Sequence, residues 1–585
     1  MSVVKPPGLD PVSNTGGQSP RRRQDKLRLE SRTLDALPVI NHFLDRLGIA
    51  RLLEARIPAL DPRCRLAPAV ALGVLLRNLL LGRAPLYSQE QWARRLVPEQ
   101  LGLSERQLGL LNDDRVGRAL DALFMADRAS MLTEIVLTAL RQFKVNLAQL
   151  HNDSTTVTFS GDYPQAIGRR ILGKRALKIC RGHNKDHRPD LKQLLFVLTV
   201  SADGSVPVHY QALDGNIVDV STHLETWRVL RALAGRPDFL YVADCKLCDS
   251  DTLQAIDRDR GRFITILPRN RREDRAFRDW LQQHAPAWET IASRPNPRDL
   301  DGPPEVFRAI ESPIPCAEGF RLLWVHSSFK HERDRRSREQ AIEQACGSLE
   351  DLRRRLQGPR CRYKSRASVE QALDQVLTQA AAQRWLRCSV TERLEPVYRQ
   401  ERRGRPGSTT RYLRATRLRF DISWQPDQPN LQYDARCDGI FPLITNCREL
   451  SMAQLLAAYK YQPMLEKRHE QFKSVHVVAP VWLKNEARIE ALLFMYFIVL
   501  LVQALIERDL RLAMKAHRID SLPLYPEQRE CRAPSTNAIF QAFRGLQQHR
   551  LYHNGAPARI FPPTLDELQT QLLTLLKVPV ASYTG

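Results

Sequence analysis

The residues with the most chemistry to offer lie between positions 459 and 473, in the stretch YKYQPMLEKRHEQFK. Tyr459, Gln462, Glu466 and Lys473 follow one another at steps of 3, 4 and 7 residues. At about 100° per residue, their side chains would share an arc of roughly 60° on one helix. That combination suits a site holding a cation against a phosphate. The carboxylate ligates the metal, the lysine meets the phosphate as a point charge, and the tyrosine hydrogen-bonds or stacks. The competing reading is a solvated charged face of a surface helix. Two further carboxylates bear on the choice. Asp153 stands in LAQLHNDSTTVTFSG, a β-branched, alternating stretch that reads as a strand. Asp244 ends FLYVAD, a short apolar run with the pattern of a strand buried on both faces. Ligands gather at the carboxyl ends of strands in such sheets. Taken alone, Asp244 is equally a structural cap.

The elements that must position these groups belong to a long, basic chain. Its 585 residues suffice for several domains with their own cores. An excess of 88 Lys and Arg over 65 Asp and Glu leaves a net charge of +23, which calls for a polyanionic partner. Nucleic acid comes first and an anionic membrane surface second. The polar, Pro/Gly/Ser-rich start is no secretory signal. The apolar runs at 66–81 and 491–502 fall short of the about 20 uninterrupted residues of a spanning helix and read as buried helices. Eleven scattered cysteines fit a reducing cytosol. Cys245 and Cys248 form a single CxxC, expected to be packing thiols rather than a zinc site.

Along the chain, residues 1–30 read as a disordered basic arm carrying Arg21, Arg22 and Arg23. Residues 31–145 have helical periodicity and form a candidate DNA-binding domain. From 146 to 270 the texture alternates between strand and helix, with a hairpin signal at Asp203-Gly204, which describes an α/β sheet. Residues 271–435 are mixed and highly charged. Residues 436–510 return to sheet texture and then helix. Ser451 and Gln454 offer a capping box there, and Pro463 predicts a kink or restart. Residues 511–585 read as helical, with AIFQAFRGLQQHRL the clearest amphipathic piece. The loop GHNKDHRPD, with His183, Lys185, Asp186 and His187, has no zinc spacing and reads as a structural or DNA-contacting loop.

Tyr459, Glu466 and Lys473 match the Tyr-x2-Arg-x3-Glu-x6-Lys signature in type and spacing, and Gln462 stands where that signature has Arg. Together with LPVINHFLDRLGI, NDSTTVTFSGDY, GHNKDHRPDLKQ, DGNIVD and YVADCKL, they make the chain resemble bacterial insertion-sequence DDE transposases of the IS-four group. The resemblance runs from about residue 35 to 510. It implies an α/β fold with an RNase H-like catalytic core, interrupted by a mostly β insertion at 271–435 and flanked by helical terminal regions. It implies Asp153, Asp244 and Glu466 as catalytic, metal-ligating residues holding two Mg²⁺ ions, with Mn²⁺ as a substitute. Tyr459, Gln462 and Lys473 would contact DNA, and Trp324 or Trp424 would stack on a flipped base. The implied activity is cut-and-paste transposition: strand cleavage and strand transfer at terminal inverted repeats and in target DNA. It implies a homodimer in a synaptic complex, in the cytoplasm at the nucleoid, with no membrane. The rival expectations are an inactive, domesticated DNA-binding protein and an RNase H-like nuclease that cuts without strand transfer.

Overall fold

In a computed structural model, the described residues are 27–57, 64–82, 84–217, 222–296, 299, 301–358, 360–475 and 483–584. Of the arm read at 1–30, residues 1–26 with Arg21, Arg22 and Arg23 lie outside them, while 27–30 are not disordered but begin the strand Leu27–Thr33. The chain is mixed α/β and divides into two compact units, one from the stretches 1–128 and 502–585 and the other from 129–501.

The first unit is helical through most of its N-terminal half, from Leu37–Arg46 to Asp113–Met125. It also carries a three-stranded antiparallel sheet in which Leu27–Thr33 pairs with Gln547–His553, and that strand with Ala556–Phe561. The expectation of an all-helical C-terminal region therefore fails at 547–561. The helix drawn from AIFQAFRGLQQHRL covers only Thr536–Ala542. Gly545, at φ +87°, leaves the helical region, and Asn554 and Gly555, both at positive φ, turn the following strand into a hairpin.

The second unit is built on one nine-stranded mixed sheet. Its strands, numbered along the chain, are β1 (Gln149–Phe159), β2 (Lys192–Ser201), β3 (Pro207–Leu213), β4 (Leu240–Ala243), β5 (Arg262–Ile266), β6 (Glu289–Arg294), β7 (Glu305–Glu311), β8 (Arg321–Ser327) and β9 (Ile440–Thr445). They lie in the order β3-β2-β1-β4-β5-β9-β8-β7-β6. β2 runs antiparallel to both β1 and β3, β4 and β5 run parallel to β1, and the rest add on antiparallel. The buried strands β2 and β4 carry the nearly continuous apolar runs LLFVLTV and LYVA, as strands covered on both faces must.

The stretch 271–435 is not mostly β. Three of its strands, β6 to β8, join the main sheet instead of forming a separate module. Its longest element is the 30-residue helix α1 (Ser328–Gln357), followed by Arg366–Gln379 and the long hairpin of Leu386–Gln400 with Tyr412–Pro426. α1 starts at the Ser327 cap. Its charged face is laced by Arg335 to Glu332 and Glu339 and by Arg336 to Glu332, while Ala345, Leu349, Leu352 and Leu356 pack inward at helical spacing.

The helix Glu486–Ala516 is long and apolar enough to cross a bilayer, and 94% of its apolar window is buried inside the protein, as befits a core helix.

Candidate active site

Strand pairing brings the two aspartates together. Asn152 of β1 is in parallel register with Ala243 of β4, so Asp153 and Asp244 are the next residues on neighbouring strands. Asp244 follows the last residue of β4, and its carboxylate caps a short turn by accepting from the Lys246 backbone N–H at 3.0 Å. It is thus cap and site residue at once. Burial raises its pKa, and the negative charge of Asp153 raises it further.

Glu466 arrives by a broken path. The helix Met452–Tyr459 begins with the Ser451–Gln454 capping box and packs Leu455, Leu456 and Ala458 against β4, β5 and β9. It stops at Tyr459. A second helix, α2 (Gln462–Glu470), restarts with Pro463 in its first turn, and residues Gln471–Val475 widen into a π turn. Tyr459, Gln462, Glu466 and Lys473 therefore do not share one continuous helix. They are spread over three segments that meet the same sheet.

Each of the four has a distinct place. Tyr459 is largely buried; burial raises its phenol pKa, and the charges of Asp244, Cys245, Glu466 and Asp153 add to the effect. That one hydroxyl feels all three carboxylates. Glu466 itself is exposed. Gln462 is buried, with its amide consumed by the sheet: Oε1 meets His151 Nδ1 at 2.8 Å and Nε2 donates to the Asn152 carbonyl at 3.2 Å. A side chain so placed ties α2 to β1 beside Asp153 and is turned into the protein rather than toward the surface. Arg468 adds a second tether, donating to the Ser205 and Gly204 carbonyls in the β2–β3 turn. Lys473 is set by its neighbour Phe472, whose buried ring stacks on Phe196 of β2 at 4.5 Å. Its Nζ pairs with Asp186 at 2.6 Å.

The loop holding Lys185 and Asp186 covers the site from the other side. Lys185 Nζ is 3.4 Å from Asp153 Oδ1 and donates to the Ser154 carbonyl at 2.7 Å and Oγ at 2.6 Å. Asp186 also accepts from Thr156 Oγ1 at 3.3 Å. His469 lies buried with Nε2 3.8 Å from Asp153 Oδ2. Burial, with the Lys185 and Lys473 charges, lowers its pKa to about 3, so it is neutral. A lone histidine in a basic helix gave no sequence signal for this position. Lys185 stood in a loop whose long-range partner could not be read.

Neither tryptophan offers itself as a base-stacking platform. Trp324 is fully buried, stacked on Phe277 at 3.8 Å with its Nε1 donating to Ser312 Oγ, so one ring face and the only polar edge are occupied within the core. Trp424 is half-buried against the helix-and-hairpin cluster of residues 345–422.

A divalent cation fits the aspartate pair, because Asp153 raises the pKa of Asp244 and a cation beside both carboxylates would relieve that repulsion. The three carboxylates do not close to the span of a single ion. Among the described residues the one group of three ligand atoms within 4.8 Å is Glu273, Cys316 and Glu318. Cys248 is a protonated packing thiol, pushed up to about 12 chiefly by burial.

A family model described as a domain of unknown function (DUF4277) matches residues 29–137. No curated protein matches the chain. Among solved structures, a cryo-EM structure of a piggyBac transposase synaptic complex with hairpin DNA is similar over 82% of this chain and 77% of that one. The identity is 9% and the TM-score 0.34, too low to establish a shared fold.

Proposed function

We propose that the protein is a DDE-type DNA transposase of an insertion sequence, cutting and joining DNA with Asp153, Asp244 and Glu466 as its metal-ligating carboxylates. The observation that carries this reading is the convergence of the three: Asp153 and Asp244 on adjacent parallel strands, and all three charges acting on the Tyr459 phenol. The order β3-β2-β1-β4-β5, with three antiparallel strands and two parallel to the first, supports an RNase H-like core. The net charge of +23 suits double-stranded DNA as partner, with a homodimer holding two element ends together.

Two Mg²⁺ ions held by these carboxylates would neutralise charge on the attacking and leaving oxygens and make a nucleophile available at neutral pH. The chain's own groups do the rest. Tyr459 places its hydroxyl against the DNA beside the carboxylates. Lys473 exchanges Asp186 for a phosphate, and Lys185 leaves Asp153 free to ligate. Neutral His469 packs against Asp153 and holds its orientation without adding charge. In hydrolysis the water oxygen bonds to phosphorus and the P–O3′ bond breaks, the proton ending on the released 3′-OH. In strand transfer the oxygen of that 3′-OH bonds to a second phosphorus, the P–O3′ bond there breaks, and the proton ends on the newly released 3′-OH.

The test is Mg²⁺-dependent nicking of DNA carrying the inverted repeats that flank the gene. Asp153→Asn should lower nicking by about 10³-fold, the scale of losing one preorganised charge in an active site, while end binding persists. Nicking at the wild-type rate would overturn the assignment.

A further inference from the structure

A cavity of about 1530 Å³ opens beside Tyr459 and runs over β9, β8 and β7 along the first turns of α1. Small-molecule sites occupy about 300–1,000 Å³, so this volume exceeds what a metabolite fills and suits a stretch of polymer.

Its chemistry is cationic above and aromatic below. Arg294, Arg308, Lys330, Arg333, Arg336 and Lys460 line it. Two acids are present, and both are engaged: Glu305 by Arg294 at 2.6 Å and Glu332 by Arg336 at 2.6 Å. Arg308 and Arg333 are exposed, and neither has an ion pair or hydrogen bond among the described residues. The positive charges press on one another. Burial lowers the pKa of Lys460, and Arg294 and Arg333 lower it further, with Glu305 opposing them. Burial, then His331 and Arg308, bring His326 down to about 4. Arg294 and Arg336 are paired, and Lys330 pairs with Asp334, so the charges left over are chiefly Arg308 and Arg333. A protein gains nothing in its own stability from such surplus cations, which marks a place for an anion. The positive end of the α1 dipole faces the same space through Ser328 and Lys330. On the floor, the Lys460 ammonium lies over Phe307 at 4.8 Å and Phe441 at 5.4 Å, and the Phe441 and Tyr459 rings are 6.4 Å apart.

We infer that this groove is a track for single-stranded DNA, with Arg308 and Arg333 meeting phosphates and Phe441 meeting a base. Backbone cations over an aromatic floor are what an unpaired strand needs, since a duplex hides its base faces. Tyr459 belongs to both groove and carboxylate site, so the track would take the strand separated at the cleavage point. That direction rests on the transposase reading; the binding itself does not.

The experiment uses the full chain in EDTA and a fluorescein-labelled oligothymidylate of 12 nucleotides, read by anisotropy from 0.05 to 0.3 M NaCl. Arg308→Gln with Arg333→Gln should weaken binding about tenfold at 0.1 M salt. It should flatten the slope of log K against log salt by about 1.4, from two contacts at about 0.7 each. Arg402→Gln with Arg403→Gln, between the two strands of the long hairpin, should change affinity less than about threefold under the same electrostatic rule. Unchanged affinity and slope in the first variant, or an equal loss in the second, overturns the inference. So does a duplex of the same length that binds as tightly and loses as much. A chain that keeps this binding yet never nicks overturns the transposase reading alone.

Discussion

The second unit holds two acidic clusters that meet opposite electrostatic fates. Around Glu318, burial alone would raise the carboxyl pKa, but hydrogen bonds from Arg271, Cys316 and Ser250 overcome it and bring the group down to about 2. Arg271 forks onto both oxygens at 2.8 and 2.7 Å and reaches Glu273 at 3.1 Å as well. At Asp153 and Asp244 the nearest cation is Lys185, 3.4 Å from one oxygen of Asp153, and Asp244 stays raised. A cluster with its own guanidinium is complete, and its ligand-like span within 4.8 Å needs no metal. A cluster in which one acid raises the pKa of another has room for a counter-charge from outside. Proximity of ligand atoms is thus a poorer guide to function than the state of their charges.

The sharpest way to break this contrast is to remove each cation. Arg271→Ala leaves Glu273 and Glu318, both nearly buried, without the guanidinium they share. It should cost about 3 kcal/mol in urea unfolding, the scale of breaking a buried pair. Lys185→Ala, whose partner is more exposed and more distant, should cost under about 1 kcal/mol. Equal losses would erase the distinction.

A smaller effect separates the clusters by pH. Glu318 titrates near 2 when folded and near 4.5 when unfolded, so folding favours its ionised form. That stability is complete above pH 4.5 and is lost as pH falls toward 2. Glu318→Gln should therefore be about 2 kcal/mol less stable than wild type at pH 6, and the gap should close across that window. A gap constant from pH 6 to 2.5 would show that Glu318 acts through packing and not charge.

How much of this was legible beforehand follows the range of each interaction. The Ser451 cap and the restart at Pro463 depend on neighbours a few residues away, and both are visible in sequence. The alternation of 149–159 and the apolar run before Asp244 mark strands, but not that Asn152 and Ala243 would be in register. Gln462 looked like a DNA contact because its spacing fits a helix face. Its true partner, His151, lies 311 residues upstream. Trp324 looked available because sequence does not reveal that β8 is interior to the sheet. The pairing of Leu27–Thr33 with Gln547–His553 joins chain ends over 500 residues apart, so local helical periodicity won the reading. The Asn554-Gly555 turn was the one local signal that favoured a hairpin there.

The smallest effect carries the contrast furthest, because it has the reverse sign. The pKa of Asp244 is raised on folding, so the folded state favours its protonated form. The advantage of that form is intact below the unfolded pKa and gone once pH has risen through the folded one, leaving a net cost at neutral pH. Asn keeps the cap on the Lys246 N–H while removing the charge. In EDTA at pH 7, Asp244→Asn should therefore be more stable than wild type, by about 1 kcal/mol or less, and the advantage should vanish below pH 3.8. Adding Mg²⁺ should reverse the order. An ion at a hundredfold excess over its Kd stabilises the wild type by about 2.7 kcal/mol and leaves the variant nearly untouched. If the variant is less stable in EDTA, or Mg²⁺ shifts both proteins equally, Asp244 is an ordinary cap and its kinship to Glu318 is closer than the charges imply.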